Sequence, residues 1–315
     1  MIDYINCKQL SRDLILIKFI YYRINHTYNA SDHILLGSDL TMKKLTENEI
    51  RQIQLNILCF LHNVCEENGL RYYLCGGSLI GAVRHNGFIP WDDDIDVDMP
   101  REDYMRLKKI ISSNNKYRLL TYESSTNYNL AFGKLIDCNT SIIENNNPEE
   151  SVEWGIYVDI FPIDGLPKNY YKLYFNALVR LNEFILIGTR KTLPWSAGIV
   201  KSLKNRTKHR ITKVIGVKRL KKLLLSLSQK YLFENSEMVC CIGGGYGRKE
   251  LYPRHYFDKR ILADFAGKKY YIPAEYDAFL TQMYGDYMKL PPKEDRIAHH
   301  SIEAYIRNDT DEEVL

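Results

Sequence analysis

No apolar run in the chain is long enough to cross a bilayer. The stretch from Leu14 to Tyr22 is nine residues long and contains Lys18, whereas a span needs roughly twenty. An ordinary amphipathic helix is the expectation there. The opening MIDYINCKQLSRDL has an early acid and no small-residue cleavage site, which is not the pattern of a signal peptide. Paired cysteine spacing is also missing. The seven cysteines include no C-x-x-C, which argues against a zinc site or a disulfide framework and points to free thiols in a reducing, cytoplasmic setting. Repeats and low-complexity tracts are absent, which leaves hydrophobic periodicity to define the organisation. Acid is absent from residues 201 to 222, KSLKNRTKHRITKVIGVKRLKK, which hold ten Lys or Arg; with a chain total of +4, the remainder is net −6.

What is there is the composition of a folded globular protein: 315 residues, 45% hydrophobic and 26% charged. That length supports one large domain or two small ones. Tyrosine is plentiful, at 24 residues, and its apolar body with a polar tip suits pocket walls.

Residues 46 to 69 read as a helix. Thr46 and Glu49 form a capping box, Ile50, Ile53, Ile57, Leu61 and Val64 fall at helical spacing, and Gly69 is the stop. LRYYLC then reads as a short strand, and Ser78 is expected to open a helix, SLIGAVRH. DIDVDM alternates acid with apolar, so Asp94, Asp96 and Asp98 are expected on one face of a strand and Ile95, Val97 and Met99 in the core. Further strands are expected at 117–122, 128–137, 141–144 and 154–164, and helices at 170–190 and roughly 213–235. A mixed sheet with helices, followed by a helical region, is an α+β arrangement.

Five aspartates, Asp92, Asp93, Asp94, Asp96 and Asp98, fall within seven positions just after Gly76-Gly77-Ser78. Glycines let a backbone approach a ligand closely, and a new helix offers unpaired N–H groups at its positive end, which suits phosphate. Two carboxylates on one strand face suit a hard cation such as magnesium. Asp159, within the apolar YVDIF, calls for a pairing charge or a metal and is the expected third ligand. An EF-hand starting at Asp92 would need Gly at its sixth position and Glu at its twelfth, where Val97 and Asp103 stand. A nucleotide-sugar glycosyltransferase with a metal-binding Asp-x-Asp remains compatible with the spacing.

The stretch GGSLIGAVRHNGFIPWDDDIDVDMPREDY resembles the signature of the LicD family of phosphotransferases, and the likeness continues through AFGKLIDCNTSI, GIYVDIFPIDGLP and YGDYMKLPPKEDRIAHH, covering about residues 43 to 307. The resemblance implies a nucleotidyltransferase-like mixed sheet with flanking helices, followed by a mainly helical C-terminal region. It divides the chain into an N-terminal helical extension (1–42), a catalytic core (43–167) and a region completing the site and carrying the basic segment (168–315). Carried over by position, Asp94, Asp96 and Asp159 would be catalytic and bind magnesium, with manganese as the alternative, while Gly76, Gly77 and Ser78 would hold donor phosphate. Arg84, His85 and Lys134 are candidates for further phosphate contacts, and Trp91, Asp93, Arg296 and His299 for closing or supporting the site. Asp98 departs from the family pattern.

The implied reaction moves phosphocholine, or a similar phospho-alcohol such as glycerol or ribitol phosphate, from a CDP-activated donor to a hydroxyl of a lipid-linked glycan, releasing CMP. A choline headgroup would need aromatic faces, for which Trp91, Trp154 and Tyr157 are the expected walls. The basic segment, with an apolar side of Ile211, Val214, Ile215, Leu220 and Leu223, is expected to lie on an anionic membrane surface. Nucleic acid is not the expected partner, since no aromatics interleave the cations.

Overall fold

The computed structural model describes residues 43–124, 128–144, 154–190, 199–297 and 302–306; the expected N-terminal helix and His299 lie outside them.

Helix α1 (Glu47–Asn68) begins as its sequence dictates. Thr46 Oγ1 accepts from the Glu49 N–H, the Glu49 side chain accepts from the Thr46 N–H, and Gly69 closes the helix at φ 60°. Ile57, Leu58, Leu61 and Val64 face the core, each contributing about 2 kcal/mol of apolar burial.

The central sheet has seven strands. Its main path runs β2 (Tyr73–Leu74), β3 (Asp96–Pro100), β7 (Tyr157–Gly165), β5 (Gly133–Asp137) and β4 (Tyr117–Leu120). Strands β3 and β7 are parallel, and the other pairs on this path are antiparallel. Val97, Met99, Val158, Ile160 and Leu135, all but inaccessible to solvent, point to one side. Asp96, Asp98, Asp159 and Lys134 share the other side by register. The alternation read in DIDVDM thus holds from Asp96 onward, while Asp94 precedes the strand.

Helix α2 (Gly76–His85) follows β2, and α3 (Arg101–Ile111) follows β3. Arg101 at the start of α3 grips Asp164 with two hydrogen bonds of 2.6 and 2.9 Å, and both are buried. This ion pair ties α3 to the far end of β7, where breaking it would strand a buried charge.

After residue 168 come α4 (Tyr171–Thr189), α5 (Ile199–Ile215) and α6 (Val217–Ser228). The helix expected over 213–235 is instead divided at Gly216, whose φ is 91°. Leu166, Phe175, Leu178, Ile185, Leu220 and Leu224 make a second apolar cluster there. Beyond these helices the chain returns to strand. Strands β8 (Met238–Cys241) and β9 (Leu251–Pro253) extend the central sheet from β7. A hairpin, β10 (Arg260–Phe265) with β11 (Lys268–Pro273), turns at Ala266 and Gly267. The Ala266 N–H donates to Asn86 O at 2.8 Å, so the hairpin supports the C-terminal end of α2. Helix α7 (Tyr276–Tyr284) follows, and β12 (Ile302–Ile306) joins β1 (Lys43–Lys44) and β6 (Thr140–Glu144) in a small sheet. The architecture is α+β with a mixed sheet.

Candidate functional site

Helix α2 starts at Gly76, two residues before the expected Ser78, with Cys75 as its N-cap. Its first turn is laced to β3. The Cys75 N–H donates to Asp96 O at 3.0 Å, and the Asp96 N–H donates to Ser78 Oγ at 2.9 Å. Ser78 is buried, so its hydroxyl braces helix to strand instead of facing solvent. Gly76, at φ 56°, sits where an added Cβ would lie 2.6 Å from Asp96 Oδ2, and one added at Gly77 would collide with Asp92 Oδ2. The Gly-Gly pair therefore lets two carboxylates settle against the positive end of the helix.

Asp92, Asp93 and Asp94 each offer a carboxylate oxygen within 4.8 Å of the others, and all three are half-buried. Among the described residues this is the acidic group at metal-ligand spacing. Among the described residues the expected trio of Asp94, Asp96 and Asp159 does not assemble at that spacing, and Asp159 is engaged by a cation of the chain itself. Lys134 Nζ donates to its two oxygens at 2.8 and 2.9 Å. The carboxylates still act on one another. Burial first, then the charges of Asp94, Asp159 and Asp92, push the Asp96 carboxyl well above its ordinary range, against the pull of Lys134.

Lys134 also fills an aromatic box. Its ammonium lies 3.3 Å from the Tyr157 ring centroid, 5.1 Å from Trp154 and 5.5 Å from Phe132. Lys134, Asp159, Trp154 and Tyr157 are all buried. Two of the three expected choline walls therefore surround a lysine already, and Lys134 is committed to Asp159 instead of standing free for phosphate.

Asp98, two residues along the same face, is also buried. Desolvation raises its carboxyl to about 7, with the Cys75 thiol hydrogen-bonded to it. It is an inner acid beneath the site, next to the buried Glu250, which burial raises to about 8 and which accepts from the N–H groups of Tyr246 and Gly245.

The cationic candidates gather around Trp91. The Arg296 guanidinium carbon is 5.3 Å from the Trp91 ring centroid, and His85 meets the same ring edge-on at 6.4 Å. Arg84 donates to His85 Nε2 at 2.9 Å and to Tyr287 O at 2.6 Å. Burial, then the positive charge of Arg84, lowers the His85 pKa, which favours the neutral imidazole; burial and Arg296 likewise lower that of Arg84. Two arginines thus stand near each other beside the residue that precedes Asp92.

Sequence reasoning passed over the glycine-rich loop between β8 and β9, GGGYG at 243–247. Gly243 lies against Phe132 and Phe161, and Tyr246 meets Tyr284 at 5.5 Å. The Tyr284 hydroxyl is held protonated by burial, by Tyr246 and by the charge of Asp96. Three consecutive glycines followed by Tyr-Gly were the available signal.

Comparison with known proteins shows the family. Residues 69–182 match the family described as LicD/FKTN/FKRP, nucleotidyltransferase domain. The chain is 34% identical over 274 residues to the lipopolysaccharide cholinephosphotransferase LicD of Haemophilus influenzae, covering 84% of this chain and 100% of that one. A shorter match, 50% identical over 44 residues, links it to the human ribitol 5-phosphate transferase FKRP, covering 14% of this chain and 9% of that protein; the mouse protein matches equally. The chain belongs to the LicD family, and the relatives named here are phosphotransferases.

Proposed function

We propose that the protein transfers phosphocholine from a CDP-activated donor to a hydroxyl of a glycan precursor, releasing CMP. The observation that carries this reading is the joining of two opposite arrangements at one place. The half-buried oxygens of Asp92, Asp93 and Asp94 lie beside Asp96, and Arg84 and Arg296 gather around Trp91 just before them.

The residues fit magnesium, or manganese. Their donors are hard carboxylate oxygens, and the glycine cradle at 76–77 keeps two of them close to the helix end. Asp94 would hold the ion with Asp92 and Asp93 beside it and Asp96 and Asp159 inward. Such an ion neutralises charge on phosphate oxygens. Arg84 and Arg296 would bind the donor's diphosphate and stabilise the charge that grows on the leaving CMP. Trp91 would close the site over it. The acceptor oxygen would attack in line, forming a bond to the phosphorus that carries choline as the bond from that phosphorus to the CMP oxygen breaks. Asp159, held in place by Lys134, would take the acceptor's proton.

Ribitol phosphate is the second headgroup, favoured by the match to FKRP. For the acceptor, a lipid-linked glycan fits the outer face of α5 and α6. Leu203, Ile211, Val214, Ile215 and Leu223 are exposed there among cations, a surface suited to peripheral contact with the inner face of a plasma membrane. The structure amends the expected face: Leu220 is buried, and Lys221, also buried, donates to Tyr128 O at 2.6 Å. No described helix is long and apolar enough to cross a membrane.

The test is release of CMP or UDP by the purified chain with magnesium and CDP-choline, CDP-ribitol, CDP-glycerol or a UDP-sugar. CMP release that Asp96→Asn abolishes, with the variant's Tm equal or higher, is the expected result. Release of UDP alone refutes the reading.

A further inference from the structure

The headgroup of the donor needs a place, and the expected one is taken. Trp154 and Tyr157 are buried around the Lys134 ammonium, and Trp91 carries Arg296 on its ring. A quaternary ammonium would have to find other aromatic faces near the aspartates.

The loop between β8 and β9 supplies them. Tyr246 is 50% exposed, and its ring stands at 81° to that of Tyr284, with centroids 5.5 Å apart. The pair meets edge to face, with Tyr246 the more exposed ring and Tyr284 half-buried. The loop reaches the aspartate side of the sheet through Gly243, where an added Cβ would lie 2.9 Å from Phe132 and 3.5 Å from Phe161. Phe161 follows Asp159 by two residues on β7, and Phe132 immediately precedes Gly133 at the start of β5. A cation there would have aromatic rings beside it.

A glycine-rich loop invites a different reading, as a cradle of backbone N–H groups for phosphate. The structure disfavours it. The N–H groups of Gly245 and Tyr246 already point to the buried Glu250 carboxyl, so they are spent inside the protein and are not offered to an anion. What the loop presents outward is the Tyr246 ring.

We propose that Tyr246 and Tyr284 form the headgroup subsite, an aromatic pair that receives the quaternary ammonium of a choline-type donor. This rests on the phosphotransfer reading above and adds the residues that would set its specificity. A cation over an aromatic face is worth about 0.5 to 2 kcal/mol, so removing one ring should cost about tenfold in selectivity.

The experiment compares kcat/KM for CDP-choline and CDP-glycerol in the full chain and in Tyr246→Leu and Tyr246→Phe, following CMP release. Tyr246→Leu should lose about tenfold with CDP-choline and stay within about twofold with CDP-glycerol, while Tyr246→Phe keeps the wild-type ratio. An equal loss with both donors, or no loss, overturns the Tyr246–Tyr284 subsite and leaves the phosphotransfer reading intact. Turnover of CDP-ribitol or CDP-glycerol without CDP-choline also overturns it. If no donor releases CMP, the phosphotransfer reading fails, and titration with tetramethylammonium decides the subsite by itself: weaker binding to Tyr246→Leu than to wild type supports it, and equal binding refutes it.

Discussion

Glu250 offers a direct test of how far burial governs the floor of the site. Its carboxyl is 3% exposed, and desolvation raises its pKa from 4.5 to about 8, with the charge of Asp98 adding to the rise and two backbone N–H groups opposing it. The folded protein therefore holds a proton between pH 4.5 and 8 that the unfolded chain releases. Stability from this group is complete below pH 4.5 and is lost as pH rises towards 8. At about 1.4 kcal/mol per pH unit the ceiling of that loss is about 5 kcal/mol, and local relaxation brings the expected figure nearer 2 to 3 kcal/mol. Glu250→Gln keeps the shape and one acceptor but cannot ionise. In urea unfolding at pH 5, 7 and 9, the variant should match or fall slightly below wild type at pH 5 and exceed it by about 2 kcal/mol at pH 9. A stability difference that stays constant from pH 5 to pH 9 would refute the reasoning, because it would mean that Glu250 ionises in the folded state much as it does in the unfolded one.

Lys134→Met should destabilise the fold by about 3 kcal/mol in urea, since it removes the cation that donates to both oxygens of the buried Asp159, and adding Asp159→Leu should recover much of that loss. A loss below about 1 kcal/mol for the single variant would mean that the pair is solvated. On the surface, neutralising the exposed Lys218, Arg219 and Lys222 together, with the buried Lys221 kept, should weaken binding to phosphatidylglycerol vesicles about a hundredfold and leave binding to neutral vesicles unchanged, at about 1 kcal/mol per cation. Vesicle binding unaltered by the three substitutions would rule out this face as the membrane contact.

The sequence by itself determined the features whose causes are local. The capping box at Thr46 and Glu49, the left-handed stop at Gly69 and the apolar spacing between them are sufficient for α1. Alternation in DIDVDM set which face of β3 carries acid, and the long motif around it identified the family. Tertiary structure decided what depends on partners far away in the chain. Nothing near Asp159 in sequence reveals that Lys134 faces it across β5 and β7, or that Tyr157 and Trp154 enclose that lysine. Whether Leu220 and Lys221 face a membrane or the protein's own interior was settled by the packing of α6, since helical spacing gives a side its character without naming its neighbour. The strands after residue 238 were missed for the same reason. Their edges are satisfied by β7 and by each other, and the glycine loop they carry meets Phe132 and Phe161 only after the sheet has formed. Long-range pairing assigns burial and charge to partners, and burial and charge in turn set how each aspartate is held.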